Sequence, residues 1–192
     1  SQIDFYVFEY ACSQLKEWAR QGKQALPVSV NFSRSSLSHH DFVDRLNRLC
    51  RQYGVDKRYL EIELTETALL ESHQFEFVKQ VLDGFRRIGI AVALDDFGFA
   101  YSSLSLLKAL EVDTLKLDRT FFLNESKRSR NIVCNVIQLA HSLHMNVVAE
   151  GIENMEQVHA LREMDCDLIQ GYVYSRPISA DEFEAWREQY EK

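Results

Sequence analysis

The side chains Asn31, Glu63, Asp95, Asp96, Lys116, Glu150 and Gln170 fall at or near the ends of successive short apolar stretches. Carboxylate and amide oxygens are hard donors of the kind that hold Mg²⁺ or Mn²⁺, and the adjacent pair Asp95 and Asp96 at a strand end can bring two ions to bridging distance. Two such ions activate a water and stabilise both the attacking and the leaving oxygen of a phosphoryl transfer. Any one of these acids alone could be a helix N-cap or an exposed strand end; the set converging on one place is not explained that way. Asp96-Phe97-Gly98 also occurs in protein kinases, but no Gly-rich loop, VAIK-type lysine or HRD segment accompanies it here.

The elements that must position these residues alternate between helical and strand periodicity. Val7, Ala11, Leu15 and Trp18 predict an opening helix that ends near Gly22. Pro27 introduces a strand in which Val28, Val30 and Phe32 alternate with Ser29, Asn31 and Ser33. Ser38 and Asp41 resemble a capping box ahead of a helix through Phe42, Leu46, Leu49 and Tyr53, stopped by Gly54. Leu60, Ile62 and Leu64 alternate with Glu61, Glu63 and Thr65, a strand with carboxylates on its inner parity. Val78 to Phe85 predicts a helix closed by Gly89, and Ile90 to Leu94 an apolar strand ending in the two aspartates. A helix from about Ser102 to Leu110, a strand Thr114 to Asp118 and a helix from about Arg130 to Leu143 follow. Then come a strand Asn146 to Glu150, a helix near Met155 to Met164, a strand Leu168 to Gly171 and a helix Ala180 to Tyr190.

Six strands, each followed by a helix, imply parallel strands with right-handed crossovers. A doubly wound open sheet and a (β/α)8 barrel both fit that order. Polar residues at the ends of so many strands favour the α/β barrel, which gathers its site from every strand, over the single crevice of an open sheet. A full barrel takes roughly 250 residues, so six units in 192 residues form a single TIM-like domain over 1–192 that is incomplete at its N-terminus. Strands beginning at Val28 leave two unpaired edges. The expectation is a piece of a longer protein, or a gap closed by another chain, that by itself turns over poorly.

Composition narrows the function. Hydrophobic residues make up 46% of the chain, enough to exclude disorder as a description of the whole. With 22 Lys and Arg against 29 Asp and Glu, the net charge of -7 argues against a sequence-independent grip on a nucleic-acid polymer or an anionic membrane. The N-terminus lacks the basic start and apolar core of a signal peptide, so the chain reads as soluble and cytoplasmic. Cys12, Cys50, Cys134 and Cys166 are too scattered for a CxxC site and read as buried packing residues.

The segments VSVNFS, EIELTET, LDDFGFAYSSL, DTLKLDRTF, VVAEGIE and QGYVYSRP resemble, in order, the successive motifs of the EAL domain family of bacterial cyclic-di-GMP phosphodiesterases. The resemblance implies a (β/α)8 barrel with an antiparallel first strand, and two-metal hydrolysis of cyclic-di-GMP to the linear dinucleotide pGpG with Mg²⁺ or Mn²⁺. It implies Asn31, Glu63 and Asp95 as ligands of the first ion, and Asp95, Asp96 and Glu150 around the second. Lys116 matches the lysine that contacts the hydrolytic water, and Glu150 matches a residue also cast as a general base. Glu153 and Gln170 match polar positions on the substrate side, and Glu66 the glutamate bracing the loop after Asp96. The resemblance further implies a homodimer, with apolar Leu104, Leu106 and Leu107 near its interface, and an upstream sensor or diguanylate cyclase domain.

Two departures bear on activity. The strand carrying the Glu-Ala-Leu motif, whose glutamate binds the first metal in the family, does not occur in this sequence. In the loop that usually reads D-F-G-[TS]-G-[YF]-S-S-L, Phe99 replaces the small hydroxyl residue and Ala100 the glycine. An alanine forced to positive φ costs on the order of 1 kcal/mol and could tilt the loop. The alternative to an active phosphodiesterase is a catalytically impaired domain that binds cyclic-di-GMP or a protein partner as a signalling module.

Overall fold

The computed structural model describes residues 2–70, 75–98, 104–123 and 126–190. Helix α1 (Gln2–Arg20) precedes β1 (Val28–Asn31), and α2 (Arg34–Leu37) and α3 (Phe42–Tyr53) lead to β2 (Leu60–Thr65). Helices α4 (Glu66–Leu70) and α5 (Phe75–Ile88), strand β3 (Ala91–Phe97) and helix α6 (Leu104–Ala109) come next. The chain continues through β4 (Thr114–Leu117), α7 (Lys127–Ser142), β5 (Asn146–Ala149), α8 (Met155–Glu163), β6 (Leu168–Ile169) and α9 (Ala180–Tyr190). The six strands are all parallel and lie in the order β1-β2-β3-β4-β5-β6. A doubly wound sheet would reverse its strand order once; this one never does. The wall is that of an incomplete TIM-like barrel.

Register decides which residues face the lumen. Ser29 pairs with Glu61 and Asn31 with Glu63; Glu61 pairs with Ala91 and Glu63 with Ala93; Thr114 pairs with Asn146 and Lys116 with Val148. The opposite parity, Leu60, Ile62, Leu64, Val92, Leu94, Leu115, Leu117 and Val147, is buried beneath the helices. Under α1 and α3, Phe42 makes edge-on contacts with Phe5, Phe32 and Phe85 at centroid distances of 5.7, 5.0 and 5.4 Å, the arrangement that the ring quadrupole favours. At the lower rim Asp113 accepts the Val92 amide at 2.8 Å and Asp167 the Val147 amide at 2.7 Å. Each aspartate precedes one strand and satisfies the amide of the second residue of a neighbour.

Among the described residues β1 and β6 are the two sheet edges, yet the helices come together beside them. The buried Arg187 of α9 donates to the Gln24 carbonyl at 2.6 Å, Lys23 pairs with Glu184, and Phe183 lies 6.1 Å from Trp18.

Several boundaries differ from the sequence expectation for local reasons. Asp41 is the N-cap of α3 but its side chain makes no capping bond; the Ser38 hydroxyl instead donates to the Arg34 carbonyl of the unforeseen helix α2. Helix α7 begins earlier than expected, at Lys127, because the Ser126 hydroxyl accepts the Ser129 amide at 3.1 Å. Cys12 and Cys50 are buried, whereas Cys134 and Cys166 are half-buried.

Candidate active site

Strands β2, β3 and β4 and the end of β5 deliver charged side chains to the same storey of the lumen. Lys116 on β4 is 4% exposed, and its ammonium lies 2.8 Å from Glu63 Oε1, 3.1 Å from Asp95 Oδ1 and 2.8 Å from Glu150 Oε1. These three carboxylates come from β2, β3 and the residue just beyond β5. A lysine inside a barrel is costly unless it is paired, and here one cation ties three separate strands together.

Asp95 and Asp96 are neighbours, and in a regular strand their side chains would point to opposite faces. A break in the β3 to β4 register between Leu94 and Phe97 removes that constraint, and Asp96 takes φ 58°, in the left-handed region. The two carboxylates and that of Glu150 consequently offer oxygens within 4.8 Å of one another. Gly98 continues the turn at φ 100°, where a Cβ would meet Phe121 at 2.0 Å, so only glycine fits against that ring. A non-glycine left-handed residue costs on the order of 1 kcal/mol. Asp96→Gly is therefore expected to raise metal-free stability by about 1 kcal/mol while weakening Mn²⁺ binding; urea unfolding in chelator, set beside an Mn²⁺ titration, checks both halves.

The electrostatics of the cluster point the same way. Glu63, Asp95, Asp96 and Glu150 set four carboxylates against one ammonium, an excess of three negative charges when all are ionised. Burial pushes the Glu150 carboxyl up to about 7, with Asp95 and Glu63 adding to the rise and Lys116 opposing it. Burial likewise raises Glu63, and raises Asp96 with the help of Asp95 and Asp118. For Lys116, burial acts downward, but Glu63 and Glu150 outweigh it and hold the ammonium charged above its ordinary range. An all-oxygen set with surplus negative charge fits hard divalent cations such as Mg²⁺ or Mn²⁺.

Other expected residues stand farther out. Asn31 pairs in register with Glu63 and is exposed. Gln170 is exposed just past β6, its amide donating to the Ala149 carbonyl at 2.8 Å and its carbonyl accepting from Ile152 at 3.2 Å. Glu153 is exposed, and its backbone amide donates to Gln157 Oε1 at 3.1 Å. Glu66 is buried in the first turn of α4, which packs on β2 and β3. Phe99 and Ala100 lie outside the described residues, as does the Leu106 side chain; Leu104 is exposed and Leu107 buried.

Two contributors escaped the sequence reading. Asp118 follows Lys116 by two residues, accepts the Thr120 amide at 2.9 Å and adds its charge to the field on Asp96. Asp4 on α1 accepts the Ser33 amide at 2.8 Å, the Ser33 hydroxyl at 2.6 Å and the Ser36 hydroxyl at 2.7 Å. It thus clamps the segment immediately after Asn31. An aspartate in the first helical turn, read with VNFSRSS, was the available signal, but only the fold brings them together.

Burial acts to raise the Asp4 carboxyl, but its bonds to Ser33 and Ser36 win and hold it below the ordinary carboxylate range. A depressed carboxyl stabilises the fold above its unfolded-state pKa, and that contribution disappears as pH falls through the folded one. Asp4→Asn is accordingly expected to cost about 1 kcal/mol at pH 7, discounted for partial exposure, with the gap to the parent narrowing toward pH 2 in urea titrations.

Comparison with known proteins places this geometry. Residues 1–177 match the EAL domain. The chain is 38% identical over 179 residues to the cyclic di-GMP phosphodiesterase NbdA of Pseudomonas aeruginosa, covering 92% of this chain and 23% of that protein. It superposes on the crystal structure of the EAL domain of Mycobacterium smegmatis DcpA with TM-score 0.88 at 32% identity, covering 96% of this chain and 83% of that one. Against the manganese and cyclic-di-GMP complex of Klebsiella pneumoniae BlrP1 the TM-score is 0.81 at 30% identity, over 92% of this chain and 44% of that one. The chain thus spans about a quarter of the length of NbdA. With nearly its whole length matched in sequence and its barrel matched in space, this chain belongs to the EAL domain family.

Proposed function

We propose that this chain is the phosphodiesterase module of a longer signalling protein and hydrolyses cyclic-di-GMP to linear pGpG. The observation that carries the reading is the buried Lys116 ammonium held between Glu63, Asp95 and Glu150, beside an exposed Asp96 that a left-handed backbone brings close to Asp95 and Glu150. Asn31, Glu63, Asp95, Asp96 and Glu150 would hold two Mg²⁺ or Mn²⁺ ions. When bound, such ions supply Lewis acidity at the phosphate and lower the pKa of water.

The protein's own groups do the rest. Lys116, kept protonated by its carboxylates, would place its positive charge beside the attacking water and offset the negative charge that accumulates on the phosphorus-bound oxygens, giving up one of its three carboxylates where it contacts that water. Glu150 would be a ligand of the second ion, and it matches the residue that the family resemblance also casts as a general base. Gln170 and Glu153 line the substrate side at the ends of β6 and β5, and the Asp4 clamp holds Asn31 in line. Glu66, buried in the first turn of α4, would be the residue that braces the loop after Asp96. A homodimer would use the exposed Leu104 at the start of α6.

The departures at Phe99 and Ala100 favour one second reading, a domain that binds cyclic-di-GMP with little hydrolysis. Chromatographic assay of pGpG formation with Mn²⁺ separates the two. If a tilted loop limits the chemistry, Phe99→Thr with Ala100→Gly raises turnover about tenfold, roughly the 1.4 kcal/mol of a restored loop. Equal rates in parent and double variant would remove the loop from the account, and binding without product in both would select the second reading.

A further inference from the structure

One storey below the acidic cluster, Glu61 of β2 spans the lumen. Its Oε1 accepts the Thr114 hydroxyl of β4 at 2.6 Å and its Oε2 accepts the Ser29 hydroxyl of β1 at 2.7 Å. Strands β2 and β4 are not sheet neighbours; β3 lies between them and presents small Ala91 and Ala93 to the lumen. These residues leave room for the glutamate to reach across. Two residues further along both strands, the pair Glu63 and Lys116 repeats the same crossing at 2.8 Å, about 6.6 Å higher at the rise of a parallel strand.

The lower crossing matters because on the β3 side the sheet does not fix the height of Lys116, which is held in register only by Val148 of β5. The β3 to β4 register runs Ala93 to Thr114 and Leu94 to Leu115, then jumps to Phe97 opposite Leu117. Lys116 therefore has no partner on β3 in the register, at the bulge that brings Asp96 toward Asp95 and Glu150. A lysine side chain carries about 2 kcal/mol of rotamer freedom, so centring its ammonium among three carboxylates requires a backbone held in place. The hydroxyl-to-carboxylate bond of Thr114, charge-assisted and partly buried, is short enough to do so.

We infer that Glu61 and Thr114 are positioning residues for the metal and Lys116 cluster: their bond past β3 helps set the height of β4 against β2 where the bulge interrupts the β3 to β4 pairing. This inference rests on the phosphodiesterase reading for its chemistry but not for its test, which reads metal affinity. Groups acting from outside the ligand set typically change metal affinity by about 10- to 100-fold.

Free Mn²⁺ is counted by electron paramagnetic resonance as the ion is titrated into the folded protein and its variants. Thr114→Val removes the hydroxyl at constant shape and is expected to weaken Mn²⁺ binding about tenfold. Thr114→Ser keeps the hydroxyl and restores affinity to within about threefold of the parent. Glu61→Gln also keeps both bonds, its amide oxygen accepting from Thr114 and its amide nitrogen donating to Ser29. If Thr114→Val does not fold, Ser29→Ala carries the test with a loss in the same direction. Parent affinity in Thr114→Val, or a Thr114→Val that only melts earlier, overturns the inference. So does a Glu61→Gln that loses as much as Thr114→Val, since charge rather than the bond would then be responsible. A parent that binds Mn²⁺ no better than Asp95→Asn fails the phosphodiesterase reading itself, a separate outcome.

Discussion

Lys116→Met is expected to lower the unfolding free energy of the metal-free protein by about 3–5 kcal/mol, the usual consequence of removing one partner from a buried charge cluster. The methionine fills the lysine's volume, so the loss reports charge and hydrogen bonding rather than a cavity. Glu63, Asp95 and Glu150 each lie within 3.1 Å of the ammonium and would be left facing one another. The loss should depend on pH in a definite direction. Burial already raises Glu63 and brings Glu150 to about 7, and without the ammonium both rise further. Folded carboxyls with raised pKa values bind protons that the unfolded chain has released, so stability falls as pH climbs from the ordinary carboxylate range through the folded values. The defect is therefore larger at pH 8 than at pH 5, and Mn²⁺ reduces it by supplying the missing positive charge. Urea titrations at both pH values, with chelator and with Mn²⁺, check all three statements; parent-like stability at pH 8 in chelator would show that the ammonium is not what holds the carboxylates together.

Asp95→Asn is expected to abolish Mn²⁺-dependent hydrolysis of cyclic-di-GMP, a fall of at least about 10³-fold. Asp95 is the member shared by every arrangement the cluster can form. Its Oδ1 accepts both the Lys116 ammonium at 3.1 Å and the Asp96 amide at 3.0 Å, and its carboxylate is one of the three whose oxygens lie within 4.8 Å. An amide supplies neither the negative charge nor a second anionic oxygen, and it places an N–H where an acceptor is required. The fold should survive, because the variant lessens the excess negative charge; an unchanged melting temperature alongside lost turnover is the expected pair of results. Full turnover in this variant would sink the two-metal reading.

The pH and mutational behaviour expected here traces to features unequally visible in the chain. The alternation of Leu60, Ile62 and Leu64 with Glu61, Glu63 and Thr65 is a period of two, and that period alone assigns one set to the helices and the other to the lumen. The register bears this out, with Glu61 opposite Ser29 and Glu63 opposite Asn31. The same regularity made the strand order legible: repeated strand and helix units leave a right-handed parallel wall as the simplest route. Local capping was less legible: Ser38 bonds back to Arg34, Ser126 accepts from Ser129, and Asp41 makes no side-chain capping bond, choices that composition at these positions leaves open.

What the sequence by itself determined was which residues face inward and at which strand ends they sit, because both follow from side-chain periodicity along one chain segment. What only the tertiary structure decided was how those residues meet. Parity alone would send Asp96 away from Asp95; the register break and a left-handed backbone bring it back, and that conformation is sustained by Gly98 packed on Phe121. Asp4 reaches Ser33 and Ser36, and Glu61 reaches Thr114, over separations of 29, 32 and 53 residues. Contacts of that kind depend on the relative heights of whole strands and helices, a quantity that no local pattern encodes and that packing of the barrel as a unit sets.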